Sequence, residues 1–135
     1  MLYKLIEDLP VEYTFDKEER IILCGVPGPF TPGCSSKHLP GFANNLQELK
    51  DKGITKVVFI AVSNAYVMNA WNEKFGHDEI DCIGDPYGEY IEEISQTMWN
   101  PMLARASNRF AVLIEDGKIT KQFKDPFVEG VLNDL

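Results

Sequence analysis

Two almost uninterrupted apolar runs rich in β-branched residues, 20–26 (RIILCGV) and 55–62 (TKVVFIAV), constrain the fold most. A strand with one solvated face alternates polar and apolar residues, whereas a run that is apolar throughout is buried on both faces. Each run therefore predicts a central strand of a sheet covered on both sides. The chain between them holds a helix, because Phe42, Leu46 and Leu49 recur at i, i+4, i+7 within 34–52 before Gly53 ends the pattern. Pro40 falls in its second turn and is expected to kink it, since it has no N–H to donate. Strand, helix and strand in this order make a parallel crossover.

The pattern continues. Ser63 or Asn64 can cap a second helix with a face of Val67, Ala70, Trp71 and Phe75, stopped by Gly76. Residues 79–83 read as a strand, and Asp85-Pro86 opens a third helix with Tyr87, Tyr90, Ile91 and Ile94 on its face. After an irregular stretch around Trp99-Asn100-Pro101, two strands flank Asp116-Gly117, a dipeptide that favours the type I′ hairpin turn. Phe127, Val128, Val131 and Leu132 face the sheet from a last short helix. The order β-α-β-α-β-α-β-β-α predicts an α/β fold: a central mixed β-sheet covered by helices on both faces.

With 135 residues the chain is expected to form one domain over 1–135. Thirteen Lys+Arg against 21 Asp+Glu give a net charge of -8, which argues against nucleic acid and anionic membranes as partners. No stretch approaches the ~20 apolar residues of a membrane span. Glu7 and Asp8 fall where a secretory leader needs an apolar core. Three cysteines without a CxxC pair suggest neither a disulfide scaffold nor zinc, and a reducing, cytoplasmic setting is expected. Cys34, His38, His77 and Cys82 lack the short spacing of metal ligands, so neither a metal nor a cofactor is expected.

Chemistry concentrates in 25–42 (GVPGPFTPGCSSKHLPGF), where Pro27, Pro29, Pro32 and Pro40 alternate with glycines. This stretch runs from a strand end straight into a helix, the place where open α/β sheets put their sites. Cys34 falls in the first helical turn, where free N–H groups and the positive dipole end favour a thiolate. Thr31, three residues earlier, can direct its hydroxyl at the sulfur or at an oxygen bound there. A structural role for Cys34 is disfavoured by this Pro/Gly setting. His38 shares a helix face with Cys34, so a Cys–His hydrolase dyad is the sharp alternative, but it also continues the Phe42 stripe and suits a packed, hydrogen-bonded histidine better. Cys24 and Cys82 lie inside apolar strands and read as core, and Trp71 and Trp99 as core or interface.

The string Pro27-x-x-x-Thr31-x-x-Cys34, and the longer GVPGPFTPGCSSKHLPGF around it, resembles the active-site loop of type II (atypical, redoxin-like) peroxiredoxins, which have a thioredoxin-like fold. The likeness continues in 62–71, at Asp85-Pro86-Tyr87-Gly88-Glu89-Tyr90 and at Ser107-Asn108-Arg109-Phe110-Ala111, spanning about 20–123. It implies a thiol-dependent peroxidase for hydrogen peroxide and small organic hydroperoxides, with Cys34 as nucleophile, Thr31 as the hydrogen-bond partner of the peroxide, Pro27 as shield and Arg109 as activating cation. The Gly33 and Cys34 N–H groups would complete the donors, Leu103 would line the pocket, and His38 is a further candidate substrate contact. Pro29 stands where relatives commonly have Ala. Relatives also often carry a resolving cysteine after the final hairpin or in the second strand, where this chain has none after Phe123 and has Phe59. A one-cysteine cycle is therefore expected, reset by glutathione with glutaredoxin or else by thioredoxin. A homodimer is implied, with Trp99, Pro101, Met102 and Phe127 as candidate contacts. A peroxide sensor or thiol switch using the same cysteine is the alternative.

Overall fold

A computed structural model describes residues 1–135. In chain order the elements are β1 (Leu2–Ile6), β2 (Leu9–Tyr13), β3 (Arg20–Gly25), a π-helical turn (Cys34–His38), α1 (Leu39–Ala43), α2 (Leu46–Asp51), β4 (Lys56–Ala61) and α3 (Ala65–Phe75). There follow β5 (Ile80–Gly84), α4 (Glu89–Glu93), β6 (Thr97–Asn100), β7 (Ala104–Ser107), β8 (Phe110–Glu115), β9 (Lys118–Gln122) and α5 (Val128–Asp134).

Seven strands form one mixed sheet in the order β2-β1-β5-β4-β3-β8-β9. The central strands β3, β4 and β5 are parallel, and β1 and β8 join them antiparallel on either side. Both crossovers among the parallel strands step the same way, so right-handed connections put α1, α2 and α3 on one face. There Ile22, Cys24, Val57, Phe59 and Cys82 meet Leu39, Phe42, Met68 and Trp71. Val128 and Val131 of α5 close the same layer. Ile21, Leu23, Val58, Ile60 and Val112 point the opposite way and are covered by Ile91 of α4. The two apolar runs thus read continuously because both faces are buried.

Asp116 and Gly117 take φ of 53° and 73°, as the hairpin turn between β8 and β9 requires. Several local expectations are corrected. The first helix does not simply kink at Pro40. Leu39 N–H reaches back five residues to the Cys34 carbonyl, and Pro40 follows in the opening turn of α1. The wide turn accommodates a ring that would otherwise collide with the Ser36 carbonyl four residues back. The actual break comes at Asn44 and Asn45, between α1 and α2.

The α3 helix buries Ala65, Met68 and Trp71, while Ala70 is exposed and Val67 and Phe75 are half-buried. Asn64 caps it, accepting the Val67 N–H at 2.9 Å. Asp85 does not start a helix directly. Its buried carboxylate accepts the N–H groups of Glu89 and Ile91 at 3.1 and 2.9 Å, which fixes the first turn of α4.

Two hairpins escape the sequence pattern. The β1–β2 pair forms one edge of the sheet, pinned by Asp81, which accepts from Lys4 at 2.6 Å and from the Tyr13 hydroxyl at 2.8 Å. The β6–β7 pair occupies the stretch that reads as irregular. Arg105 ties it to the carbonyls of Tyr87 and Gly88 and to the Glu92 carboxylate.

Candidate active site

The site begins where β3 ends. Gly25 pairs with Phe110, and a Cβ at Gly25 would stand 1.9 Å from the Phe110 ring. Only glycine permits that approach. The pairing also carries Arg109, one residue before β8, to the carboxyl end of β3.

From there the chain turns through Pro27, Gly28 and Pro29. The Thr31 hydroxyl donates to the Gly28 carbonyl at 2.6 Å, and Ser35 N–H donates to the Thr31 carbonyl at 3.0 Å. Phe30 takes φ of 65°, a left-handed conformation that costs a bulky residue roughly 1–3 kcal/mol. Its ring meets the Phe75 ring edge-on at 6.2 Å. The loop is therefore held in a shape it would not choose alone.

Cys34 opens the π-helical turn and is fully buried. The N–H groups of Gly33 and Cys34 donate to no backbone carbonyl, as expected of a first helical turn. Arg109 Nη2 donates to Cys34 Sγ at 3.0 Å, and its Nη1 donates to His38 Nδ1 at 2.7 Å. A Cβ at Gly33 would stand 3.3 Å from Arg109 Nη2, so the missing side chain leaves room for the guanidinium.

His38 is fully buried, and its Nε2 lies 2.9 Å from the Pro126 carbonyl. Since the guanidinium can only donate, Nδ1 accepts and Nε2 carries the proton, an assignment made from the hydrogen-bond network. Burial lowers the His38 pKa to about 3, and the Arg109 charge acts in the same direction against the Pro126 carbonyl and Asp125. The imidazole is neutral.

Cys34, Arg109, Gly33 and His38 thus converge. Thr31 stands one turn before the sulfur, with its hydroxyl proton committed to Gly28, so its oxygen presents lone pairs rather than a donor. Pro27 is half-buried in the same loop, and Leu103, from the β6–β7 turn, lies against Gly28. Neither ring nitrogen of His38 bonds to Cys34, so no Cys–His dyad forms, and none remains for a substrate. Trp99 and Met102 are exposed, 74% and 92%. Phe127 is not part of that surface. It is half-buried against the site, with its ring centre 5.4 Å from Arg109 Cζ.

Cys24 and Cys82 lie in the core, one on each side of Phe59 across the parallel strands. Burial pushes both thiols up from their ordinary value, for Cys24 against the pull of Arg109 and for Cys82 with the help of Asp81. Two contacts at the site have no local signal in the sequence: the Trp71 indole N–H donating to Ser35 Oγ at 3.0 Å, and the Pro126 carbonyl on His38.

The redoxin family pattern matches residues 8–135. Peroxiredoxin-2B of Arabidopsis thaliana is 37% identical over 105 residues, 76% of this chain and 65% of that protein. The chain therefore spans just under two thirds of that relative's length. The putative peroxiredoxin prxA of Emericella nidulans is 32% identical over 123 residues, 87% of this chain and 71% of that protein. Among solved structures, reduced Prx3 of Vibrio vulnificus in complex with hydrogen peroxide superposes with a TM-score of 0.90 at 26% identity, covering 98% of this chain and 91% of that one. Peroxiredoxin 5 of Alvinella pompejana superposes with a TM-score of 0.82 at 25% identity, covering 98% and 89%.

Proposed function

The chain belongs to the redoxin family, with the thioredoxin-fold peroxiredoxins, and from that premise we propose that it is a thiol-dependent peroxidase acting through Cys34. The observation that carries this reading is the 3.0 Å hydrogen bond from Arg109 to a buried cysteine in a first helical turn. Arg109 is always charged and cannot take the proton of the reaction, so it favours a thiolate and does not compete with it.

The Cys34 sulfur attacks the outer oxygen of a hydroperoxide. A sulfur–oxygen bond forms, the oxygen–oxygen bond breaks, and the departing oxygen leaves as water or an alcohol after taking up from solvent the equivalent of the proton that the thiol lost on ionising. Cys34 becomes a sulfenic acid. Negative charge moves from sulfur to the departing oxygen, so a donor that reaches that oxygen acts mainly in the transition state, while one held on the sulfur also favours the thiolate beforehand. Arg109 and the free N–H groups of Gly33 and Cys34 are those donors. Thr31, whose own hydroxyl donates to Gly28, accepts a hydrogen bond from the hydroperoxide O–H and orients the substrate. Pro27 and Leu103 exclude water on the loop side. The complete burial of Cys34 favours small substrates, hydrogen peroxide and small organic hydroperoxides, that enter beside the exposed Pro32 and Gly33.

The sulfenic acid is reduced by an outside thiol, which forms a mixed disulfide with Cys34 and releases water. A second thiol then frees Cys34. An outside thiol is needed because Cys24 and Cys82 are packed and their thiols stay protonated, with glutathione and glutaredoxin as the first candidate and thioredoxin as the second. We place the protein in a reducing, cytoplasmic setting, acting as one domain over 1–135. It pairs as a homodimer through the exposed Trp99, Pro101 and Met102. Peroxide consumption assayed with each reductant tests the reading. Turnover with either, together with a sulfenic acid at Cys34, is expected; neither turnover nor Cys34 oxidation would refute it.

A further inference from the structure

The active-site loop does not hold Arg109 alone, because part of its surroundings comes from the turn entering α5. Pro126 accepts the His38 Nε2–H at 2.9 Å, and His38 Nδ1 in turn accepts from Arg109 at 2.7 Å. The Phe127 ring centre lies 5.4 Å from Arg109 Cζ, 4.4 Å from Lys37 Nζ and 5.0 Å from the His38 ring centre. Phe127 belongs to neither apolar cluster of the core, so core packing does not account for its partial burial. The turn is itself fixed, since Asp125 accepts the Phe127 N–H at 3.0 Å and the Phe127 carbonyl accepts from Val131 at 3.1 Å. The bonds to His38 and Cys34 hold the two terminal nitrogens of the guanidinium along one edge and leave its flat face to be backed by another group. An aromatic face beside a cation constrains that plane.

We propose that Phe127 is a positioning residue for Arg109: its ring and the Pro126 carbonyl, the latter through His38, fix the guanidinium on Cys34, so that the reactivity of the cysteine depends on the aromatic face at position 127. This rests on Cys34 being the reacting group. Lys37 shares the same ring, and its charge adds to the positive field at the mouth of the turn.

The test compares Phe127→Leu, which keeps bulk without an aromatic face, with Phe127→Tyr, which keeps the face, and with Val131→Ala, which weakens the same helix from its core side. Oxidation of Cys34 by stoichiometric peroxide should slow about fivefold or more in Phe127→Leu and stay within about twofold of the parent in Phe127→Tyr. Val131→Ala should lower the Tm and leave the oxidation rate unchanged. In nitrogen-15 spectra, slowly exchanging Arg109 Nη–H signals should be present in the parent and in Phe127→Tyr and absent in Phe127→Leu. Parental rate and parental guanidinium signals in Phe127→Leu would overturn the proposal, as would equal slowing in Val131→Ala. Phe127→Met removes the ring again should Phe127→Leu not fold. Failure of the peroxidase reading would show separately, as parental Cys34 no faster than free cysteine, and the Arg109 signals would still decide the role of Phe127.

Discussion

The Trp71 indole N–H donates to the Ser35 hydroxyl at 3.0 Å, joining α3 to the residue that follows Cys34. Trp71 is fully buried, and its ring also meets Phe59 edge-on at 6.0 Å. The π-helical turn is thus held from a neighbouring helix as well as by its own bond from Leu39 to Cys34.

Ser35→Ala should destabilise the protein by about 1–3 kcal/mol, because it leaves a buried indole N–H without an acceptor. Urea unfolding followed by far-ultraviolet circular dichroism measures the loss. Unchanged stability would mean that the indole finds another acceptor.

Arg109→Met should slow oxidation of Cys34 by about 10²–10³-fold, the range seen when one donor to a developing charge is removed. Arg109 is only half-buried, so the fold should survive. Arg109→Lys should recover little of the rate, because one ammonium cannot bond both Cys34 Sγ and His38 Nδ1 in the planar geometry of the guanidinium. Stopped-flow mixing with peroxide gives both rates.

His38 sets a pH dependence of stability. The unfolded chain binds a proton at this histidine near pH 6.5, and the folded chain only near about 3. Between these values the unfolded state holds more protons, so stability should fall as pH drops from about 6.5 and be flat above it. The slope from this one group is about 1.4 kcal/mol per pH unit. His38→Asn, which keeps an acceptor near the Nδ1 position, should be less stable at neutral pH but show a shallower decline between pH 6 and 4. Parallel curves would show that His38 is not the titrating group.

In the one-cysteine cycle, Cys24→Ala combined with Cys82→Ala should retain peroxidase turnover with an outside thiol, whereas Cys34→Ser should abolish it. Mass spectrometry after a single equivalent of peroxide should find the added oxygen at Cys34. A stoichiometric disulfide from Cys34 to Cys24 or Cys82 within one chain would contradict the cycle.

The central strands were legible because β3 and β4 are buried on both faces and leave no polar interruption. The β8–β9 turn was legible because Asp116-Gly117 is a dipeptide that tolerates two positive φ values. The β1–β2 hairpin hid behind an unusual turn: Glu7 and Asp8 both adopt positive φ, 50° and 68°, without a glycine to announce it. Its second strand is exposed along almost its whole length and carries Pro10, so no buried face marks it either. At the site, Cys34 and Thr31 stand out locally in the Pro/Gly loop. Arg109 and Leu103 lie far along the chain, and only the family likeness connects them to the loop. The Pro126 contact was beyond reading, because a backbone carbonyl carries no residue signature.

The sulfur, the guanidinium and the carbonyl that orders them come from widely separated stretches of chain. Arg109 is 75 residues from Cys34, and Pro126 is 88 residues from His38. During synthesis Cys34 emerges long before β8 and the α5 turn exist, and in that interval it is a thiol without its cation. Contacts of such sequence separation close late in folding. A nascent or unfolded chain therefore carries three ordinary cysteines, and on the proposed function the fast reaction of Cys34 with peroxide arises only with the finished sheet. On the peroxidase reading, oxidation at Cys34 then reports chiefly on folded molecules, and chains still being made are largely spared at the residue that the finished protein buries beside its cation.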